Sequence, residues 1–219
     1  ALDVDEPWIA EARRYYINIV GKYGVQVQAL LKKASGLDIQ MICPLHGPVL
    51  KEDLGYYIGK YLTWSSYEPE EKGVLIAYAS MYGNTEAAAQ CLASKLVEKG
   101  CTNVKVYDVS NTHVSQLISE SFKLSNIVLA SVTYNTGLFP AMLDYLEDMK
   151  ALEVQNRTIA LMENGSWGPR AASHMTNFIN NNLKNMTLLE PKVTIKSAGK
   201  DSDVQNIDAL ADAIIESMK

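Results

Sequence analysis

The strongest constraint on the fold of this chain is the regular alternation of apolar runs and amphipathic segments after residue 73. Residues 74–79 are continuously apolar, which is typical of a parallel strand covered on both faces. Residues 85–99 follow with apolar side chains at helical spacing. The alternation continues to the C-terminus, with strands predicted at 104–107, 126–131, 157–162 and 188–195 and helices at 114–122, 140–149, 171–183 and 204–218.

Five strands joined by helices predict an α/β fold with right-handed crossovers and an open, doubly wound parallel sheet. The beginning of the chain differs, since it predicts helices at 8–20, 26–33 and 52–63 and one short strand at 39–43 that has no partner strand of its own. The polar, proline-containing stretch 65–71 is interpreted as a linker between the two parts.

Charge and cysteine content exclude several classes of protein. The net charge is −5 and no Lys/Arg cluster is larger than a pair such as Lys32-Lys33, which argues against a nucleic-acid binder. No apolar run approaches the ~20 residues of a membrane span, and no secretory signal opens the chain. Cys43, Cys91 and Cys101 lack metal-type spacing, so we expect reduced thiols in a cytoplasmic protein. Because the chain starts at Ala1, we expect a fragment of a longer protein.

The loop after the first strand has the character of a phosphate site. In doubly wound sheets, ligands bind beyond the carboxyl ends of the strands, where the strand order reverses. Hydroxyls and free backbone N–H groups at a helix start can hold a phosphate. The loop comprises Ser80, Met81, Tyr82, Gly83, Asn84 and Thr85. It contains no Lys or Arg and matches neither common nucleotide-binding motif, so it predicts a phosphomonoester held by neutral donors alone. The alternative is a plain turn with Thr85 as helix cap and Gly83 in a tight bend.

The loops after the third and fourth strands each carry an aromatic residue among small and polar ones. Their candidate residues are Thr133, Tyr134, Asn135 and Gly137 in one loop and Gly165, Ser166 and Trp167 in the other. An exposed aromatic ring suits a flat heterocycle, and backbone groups can bond to the edge of that heterocycle. Alternatively, Tyr134 only caps the sheet and Trp167 is structural. Two aromatic residues flanking one crevice beside a phosphate loop favour a bound cofactor over coincidence.

The segments SMYGNTE, TYNTGLFP and NGSWG resemble the flavodoxin family, and the whole second half resembles the flavin domain of flavodiiron proteins, also called A-type flavoproteins. The resemblance implies a flavodoxin-like sheet in the order 2-1-3-4-5 with flavin mononucleotide (FMN) as cofactor. It places the FMN phosphate on the first loop and the isoalloxazine ring on the candidate residues of the other two loops. The segment MICPLHGP resembles the end of the metallo-β-lactamase-like domain of the same family, which implies His46 as an iron ligand.

This resemblance implies a division into a metallo-β-lactamase-like fragment at 1–66, a linker at 67–72 and a flavodoxin-like FMN-binding domain at 73–219. The other iron ligands of the family would precede the first residue, and one histidine cannot hold a diiron site. His113 and His174 match nothing in the family, and we interpret them as surface or helix-cap residues.

The resemblance implies a flavodiiron oxidoreductase that reduces dioxygen or nitric oxide, with this chain alone only carrying electrons. It also implies a small redox donor, such as rubredoxin or a reduced-cofactor-dependent reductase, and a head-to-tail homodimer of the complete protein. One alternative is a stand-alone FMN-dependent NAD(P)H:quinone reductase, which gives the first part of the chain no role. A receiver-like signalling domain is a further alternative, but it needs an aspartate cluster at the strand ends that this sequence lacks.

Overall fold

The computed structural model describes residues 8–219, so the start of the predicted region 1–66 lies outside the described residues. The first part of the described chain is helical. It contains α1 (Trp8–Val20), α2 (Gly24–Ala34) and α3 (Leu54–Ser65), with a 3-10 turn at Gly21–Tyr23.

The second part alternates strands and helices, as the sequence predicts. Its elements are β1 (Glu71–Ala79), α4 (Asn84–Glu98), β2 (Val104–Asp108), α5 (Val114–Lys123), β3 (Leu124–Tyr134), β4 (Gly137–Leu138), α6 (Pro140–Ala151), β5 (Thr158–Asn164), α7 (Ala171–Asn182), β6 (Thr187–Leu188), β7 (Val193–Ile195) and α8 (Asp201–Ser217). None of the helices described between residues 8 and 219 combines the length and apolarity needed to cross a bilayer.

The sheet confirms the predicted flavodoxin-like order. Its strands lie in the order β2-β1-β3-β5-β6, with β7 also pairing with β5, and all of these pairs are parallel. The short β4 pairs antiparallel with β3 and stands outside this path. When β6 and β7 are taken together as the fifth strand, the order is the expected 2-1-3-4-5.

The strands have continuously apolar sequences because both faces of the sheet are covered by helices. Because successive side chains of a strand point to opposite faces, Val74 and Ile76 pack in one core cluster and Leu75 and Ala77 in another. Residues of α4 and α8 complete the first cluster, and residues of α1, α5, α6 and α7 complete the second. The sheet is therefore a central layer covered on both faces, and its inner strands β1, β3 and β5 are buried along most of their length.

The edge of the sheet departs from the prediction of one strand at 188–195. Thr187–Leu188 and Val193–Ile195 pair separately with β5, and the segment between them contains Pro191. Proline has no N–H group to donate to the ladder, which accounts for the interruption. The predicted continuous fifth strand is therefore wrong in this detail.

The predicted strand at 39–43 is reduced to a single bridge. Ile42 and Leu50 exchange two backbone hydrogen bonds of 2.9 Å, so the segment does have a partner, supplied by the chain a few residues later. The loop between them contains Gly47 with φ +123°, and a Cβ built there would lie 2.5 Å from the Trp8 ring. The loop is therefore held against α1 by a close contact that only glycine permits.

The helical first part packs on the sheet rather than standing apart from it. Ile17 of α1 and Trp64 of α3 are fully buried in the same core cluster as Leu75 of β1 and Ile118 of α5. The stretch interpreted as a linker is also packed, because the Glu70 side chain is only 2% exposed. The boundaries 1–66, 67–72 and 73–219 stay predictions, and the described residues of the two parts pack directly against each other.

Glu70 is the centre of a buried polar cluster at this junction. Its carboxylate accepts hydrogen bonds from Trp64 Nε1 at 2.6 Å and Arg13 Nη1 at 3.0 Å and pairs with Lys60 Nζ at 2.9 Å. Burial acts to raise the pKa of the Glu70 carboxyl, but Arg13, Lys60 and Trp64 outweigh it, and the net pKa is lowered. Glu70 is therefore charged at neutral pH and ties α1, α3 and the start of β1 together.

Candidate functional site

A cleft of about 780 Å³ opens at the carboxyl ends of β1, β3 and β5. This volume lies within the range that small-molecule and cofactor sites usually occupy. Of the sequence-predicted residues, those that line the cleft are Ser80, Met81, Tyr82, Asn84, Thr85, Thr133, Asn135, Gly165, Ser166 and Trp167. The structure therefore brings all three predicted loops to one cleft, whereas Gly83, Tyr134 and Gly137 are not among its lining residues.

The loop after β1 presents the N-terminus of α4 to the cleft. Gly83 occupies the N-cap position with φ +83°, and its N–H donates to Ser80 Oγ at 3.1 Å. The first intrahelical bond runs from Ala87 N to Gly83 O, so the N–H groups of the preceding turn have no helical acceptor. Free N–H groups and the positive end of the helix dipole favour an anion at this place. Thr85 is buried and is the second residue of α4, which contradicts the alternative that made Thr85 the cap.

The loop after β3 is a tight β-hairpin rather than an open loop. Thr133 pairs with Leu138 and Tyr134 with Gly137, which leaves Asn135 and Thr136 as the turn. Both turn residues have positive φ, 47° and 61°, as in the type I′ turn that matches the twist of paired strands. Asn135 and Thr136 line the cleft, and the sequence analysis missed Thr136.

Tyr134 is not among the residues that line the cleft, although its neighbours Thr133 and Asn135 are. The Tyr134 ring instead contacts Phe139 edge-on, with centroids 5.9 Å apart. This arrangement matches the alternative in which Tyr134 caps the sheet.

Polar side chains beneath the cleft position the N-terminus of α7. Thr133 Oγ1 accepts hydrogen bonds from the N–H groups of Arg170 at 2.9 Å and Ala171 at 3.2 Å. The buried Glu163 carboxylate accepts from Ala172 N at 2.9 Å and from the Thr194 hydroxyl at 2.8 Å. These bonds satisfy N–H groups of the first turn, and a negative charge is favourable there.

A fourth loop, after β7, completes the cleft through Ser197. The Asn164 side chain donates to Ser197 O at 2.9 Å and accepts from Ser197 N at 3.1 Å, and the Ser166 and Ser197 hydroxyls are 2.8 Å apart. The sequence analysis missed Asn164 and Ser197. The rule that ligands bind beyond the carboxyl ends of strands would have found Ser197 if it had also been applied to the loop after the fifth strand, whose end at residue 195 was predicted.

Gly165 lies where the third loop approaches its neighbours most closely. A Cβ at this position would be 3.0 Å from Pro169 Cα and 3.2 Å from Thr133 Oγ1. Any larger residue would therefore displace the loop that carries Ser166 and Trp167. Trp167 itself is fully exposed, and Tyr82 across the cleft is 85% exposed. Two uncovered aromatic rings thus stand at the rim.

Arg170 departs from the expectation of a cleft formed by neutral groups alone. It lines the cleft together with Gly168 and Val132, and all three were missed by the sequence analysis. Arg170 follows the candidate residue Trp167 by three positions and is the N-cap of α7, so extending the search to the residue before the next helix would have revealed it.

His46, the predicted iron ligand, lies on the surface of the first part of the chain. Its ring is 5.1 Å from the Tyr15 ring, between centroids. Between residues 8 and 219, no group of three or more His, Cys, Asp or Glu side chains is placed to hold a metal ion. The role of His46 stays a prediction.

The other two histidines bond to the backbone. His113 Nδ1 accepts from Ser115 N at 3.2 Å and caps α5, as expected. His174 Nε2 lies 3.0 Å from Thr136 O, on the hairpin beside the cleft.

Comparison with known proteins gives the same assignment as the fold. The flavodoxin family profile matches residues 76–186. The rubredoxin-oxygen oxidoreductase of Megalodesulfovibrio gigas is 27% identical over 211 residues, which covers 94% of this chain and 52% of that protein. The anaerobic nitric oxide reductase flavorubredoxin of Aeromonas hydrophila is 29% identical over 170 residues, covering 75% of this chain and 34% of that protein.

The flavodiiron protein of Giardia intestinalis has a similar fold, with a TM-score of 0.86 and 21% identity over 96% of this chain and 53% of that chain. The chain spans about half or less of the length of these relatives. The resemblance to flavodiiron proteins that the sequence predicts is confirmed. With the family profile matching half of its residues, this chain belongs to the flavodoxin family.

Proposed function

We propose that this chain binds FMN in the cleft and carries electrons for a flavodiiron oxidoreductase. In this proposal, the acceptor is a diiron centre that reduces dioxygen or nitric oxide and whose other ligands are not among the residues of this chain. Two relatives support the proposal by their names, a rubredoxin-oxygen oxidoreductase and an anaerobic nitric oxide reductase flavorubredoxin. The regions 1–66, 67–72 and 73–219 are proposed as the metallo-β-lactamase-like fragment, the linker and the FMN domain.

The observation that carries the proposal is the pairing of an anion site with an aromatic rim in one cleft. Membership in the flavodoxin family implies FMN. The residues fit this cofactor, because the free N–H groups at the start of α4 suit a phosphomonoester and Trp167 and Tyr82 suit a flat ring. When bound, the flavin supplies reversible electron transfer, which no side chain of the cleft can supply.

The residues have distinct roles in this proposal. The loop 80–85 would hold the phosphate, with Ser80 and Gly83 shaping the backbone that offers its N–H groups. Thr133, Asn135, Gly165 and Ser166 would line the ring, and Trp167 would exclude water from its face. Tyr134 and Gly137 would act indirectly, by forming the closing pair of the hairpin that presents Asn135.

Titration with FMN tests the proposal directly. We expect one FMN per chain, quenching of flavin fluorescence and much weaker binding of riboflavin, which has no phosphate for the α4 N-terminus to hold. A chain that takes up no FMN would contradict the proposal. Steady-state quinone reduction driven by NAD(P)H would favour the stand-alone quinone reductase instead.

We also propose the partners and location that the family resemblance implies. A small redox donor, such as rubredoxin or a reduced-cofactor-dependent reductase, would reduce the flavin, and the name of the Megalodesulfovibrio gigas relative supports rubredoxin. A head-to-tail homodimer would form in the complete protein, and light scattering that finds only a monomer would contradict it. Three free cysteines, Cys43, Cys91 and Cys101, support a location in the reducing cytoplasm.

A further inference from the structure

Among the described residues that line the cleft, Arg170 is the only charged one. Its side chain is exposed, and its guanidinium makes no hydrogen bond or ion pair with another described residue. Its backbone, by contrast, is fixed, because Arg170 N donates to Thr133 Oγ1 at 2.9 Å. The structure thus holds an unpaired positive charge at a set place on the wall of an otherwise neutral cleft.

The position of Arg170 along the sheet separates it from the phosphate site. The phosphate loop leaves β1, whereas Arg170 ends the loop that leaves β5 and is bonded to Thr133 near the end of β3. Strands β1, β3 and β5 are neighbours in that order, so β1 and β5 are about 10 Å apart at a spacing of about 4.8 Å per strand. A cofactor with its phosphate at α4 would therefore place its ring, rather than its phosphate, beside Arg170.

The charge of a flavin ring changes on reduction. The oxidised ring is neutral, and uptake of two electrons and one proton leaves a ring with one negative charge at neutral pH. A nearby cation stabilises the reduced ring and leaves the neutral oxidised ring largely unaffected. The backbone N–H groups at the start of α7 already donate to Thr133 and Glu163, so the positive charge available to the ring is that of the Arg170 side chain.

From these observations we infer that Arg170 sets the reduction potential of the flavin by favouring its reduced, anionic form. This inference rests on the proposed FMN site. It makes Arg170 a residue that tunes electron transfer, and it assigns anchoring of the cofactor to the neutral loop 80–85.

The test compares the variants R170Q and R170K with the unchanged chain loaded with FMN. Fluorescence quenching gives the Kd of oxidised FMN and of riboflavin, and equilibration with a reference dye during anaerobic reduction by dithionite gives the midpoint potential. The control is K105Q, because Lys105 is an exposed lysine on β2 outside the cleft and carries the same charge change.

For R170Q we expect the affinity for reduced FMN to fall about tenfold more than the affinity for oxidised FMN. This lowers the two-electron midpoint potential by about 30 mV. R170K should restore most of the potential, since it restores the charge, and K105Q should leave it unchanged. Added salt should shrink the difference between R170Q and the unchanged chain, because Arg170 is exposed.

Two results would overturn the inference while leaving the FMN proposal intact. One is an R170Q potential equal to that of the unchanged chain. The other is an R170Q chain that no longer prefers FMN to riboflavin, which would make Arg170 a phosphate ligand. An unchanged chain that binds no FMN would overturn both proposals, so the two failures are distinguishable.

Discussion

Two regions of this molecule use polar residues in opposite ways. At the junction of α1, α3 and β1, the charges of Arg13 and Glu70 are buried and paired. At the cleft, the Arg170 side chain is exposed and unpaired, and the first backbone N–H groups of α4 have no helical acceptor. Buried polar groups need partners to offset the cost of losing water, whereas a binding site keeps groups available for a ligand. Polar residues that stabilise the fold can therefore be distinguished from polar residues that are available to bind a cofactor.

The largest expected effect is loss of stability when the junction is broken. Glu70→Ala leaves the buried Arg13 without its closest charged partner, so the free energy of unfolding should fall by about 3–5 kcal/mol, as for other buried ion pairs. Urea denaturation followed by circular dichroism measures it. Glu147→Ala is the control, because the pair that Glu147 forms with Lys150 is exposed and worth about 0.5 kcal/mol or less. Equal losses in the two variants would contradict the comparison.

Part of the stabilisation by Glu70 should disappear in acid. Its pKa is lowered in the folded chain, so its contribution is fully present above the unfolded carboxyl pKa of about 4.3 and is lost as the pH falls through the lower folded value. Below about pH 4, therefore, the unfolding free energy of the unchanged chain should fall more steeply than that of Glu70→Gln. Denaturation series from about pH 2.5 to about pH 7 check this. Parallel curves would show that Glu70 is not the group responsible.

At the cleft, the expected losses are in affinity rather than stability. Gly165→Ala forces a Cβ to within 3.0 Å of Pro169 Cα, so the third loop must shift. We expect the Kd for FMN to rise about tenfold, which corresponds to about 1.4 kcal/mol. Gly168→Ala is the matched control in the same loop, because a Cβ there meets nothing within 4 Å. If Gly168→Ala weakened FMN binding as much as Gly165→Ala, close packing at Gly165 would not be the cause.

The smallest expected effect distinguishes the two aromatic residues that the sequence indicates. Trp167→Ala should weaken FMN binding by about 1 kcal/mol through lost stacking, with no change in stability because Trp167 is fully exposed. Tyr134→Ala should affect FMN less, since Tyr134 does not line the cleft and contacts Phe139 instead. Fluorescence titration of the two variants measures both effects. A larger effect of Tyr134→Ala would restore the stacking role that the sequence analysis gave it.

Most of the fold was predictable because a strand that is buried on both faces of a sheet has a continuously apolar sequence. The apolar run in β1 and the helical spacing in α4 give the strand, the helix and the loop between them. Most of the candidate residues of the three loops were predictable as well, since the carboxyl ends of neighbouring parallel strands meet at one edge. The split of the last strand was missed although Pro191 signals it, whereas the two separate pairings with β5 could not be predicted because local propensity gives no pairing register.

The sequence by itself determined the alternating α/β architecture, the loops that meet at the cleft and the absence of a cation from the loop after β1. Only the tertiary structure decided which side chains of those loops face inward. It turned Tyr134 away, brought Ser197 and Arg170 in, and joined α1 to the sheet through Glu70. The physical reason is that burial patterns are periodic along the chain, whereas contacts between distant loops depend on strand pairing and helix packing that no local pattern encodes.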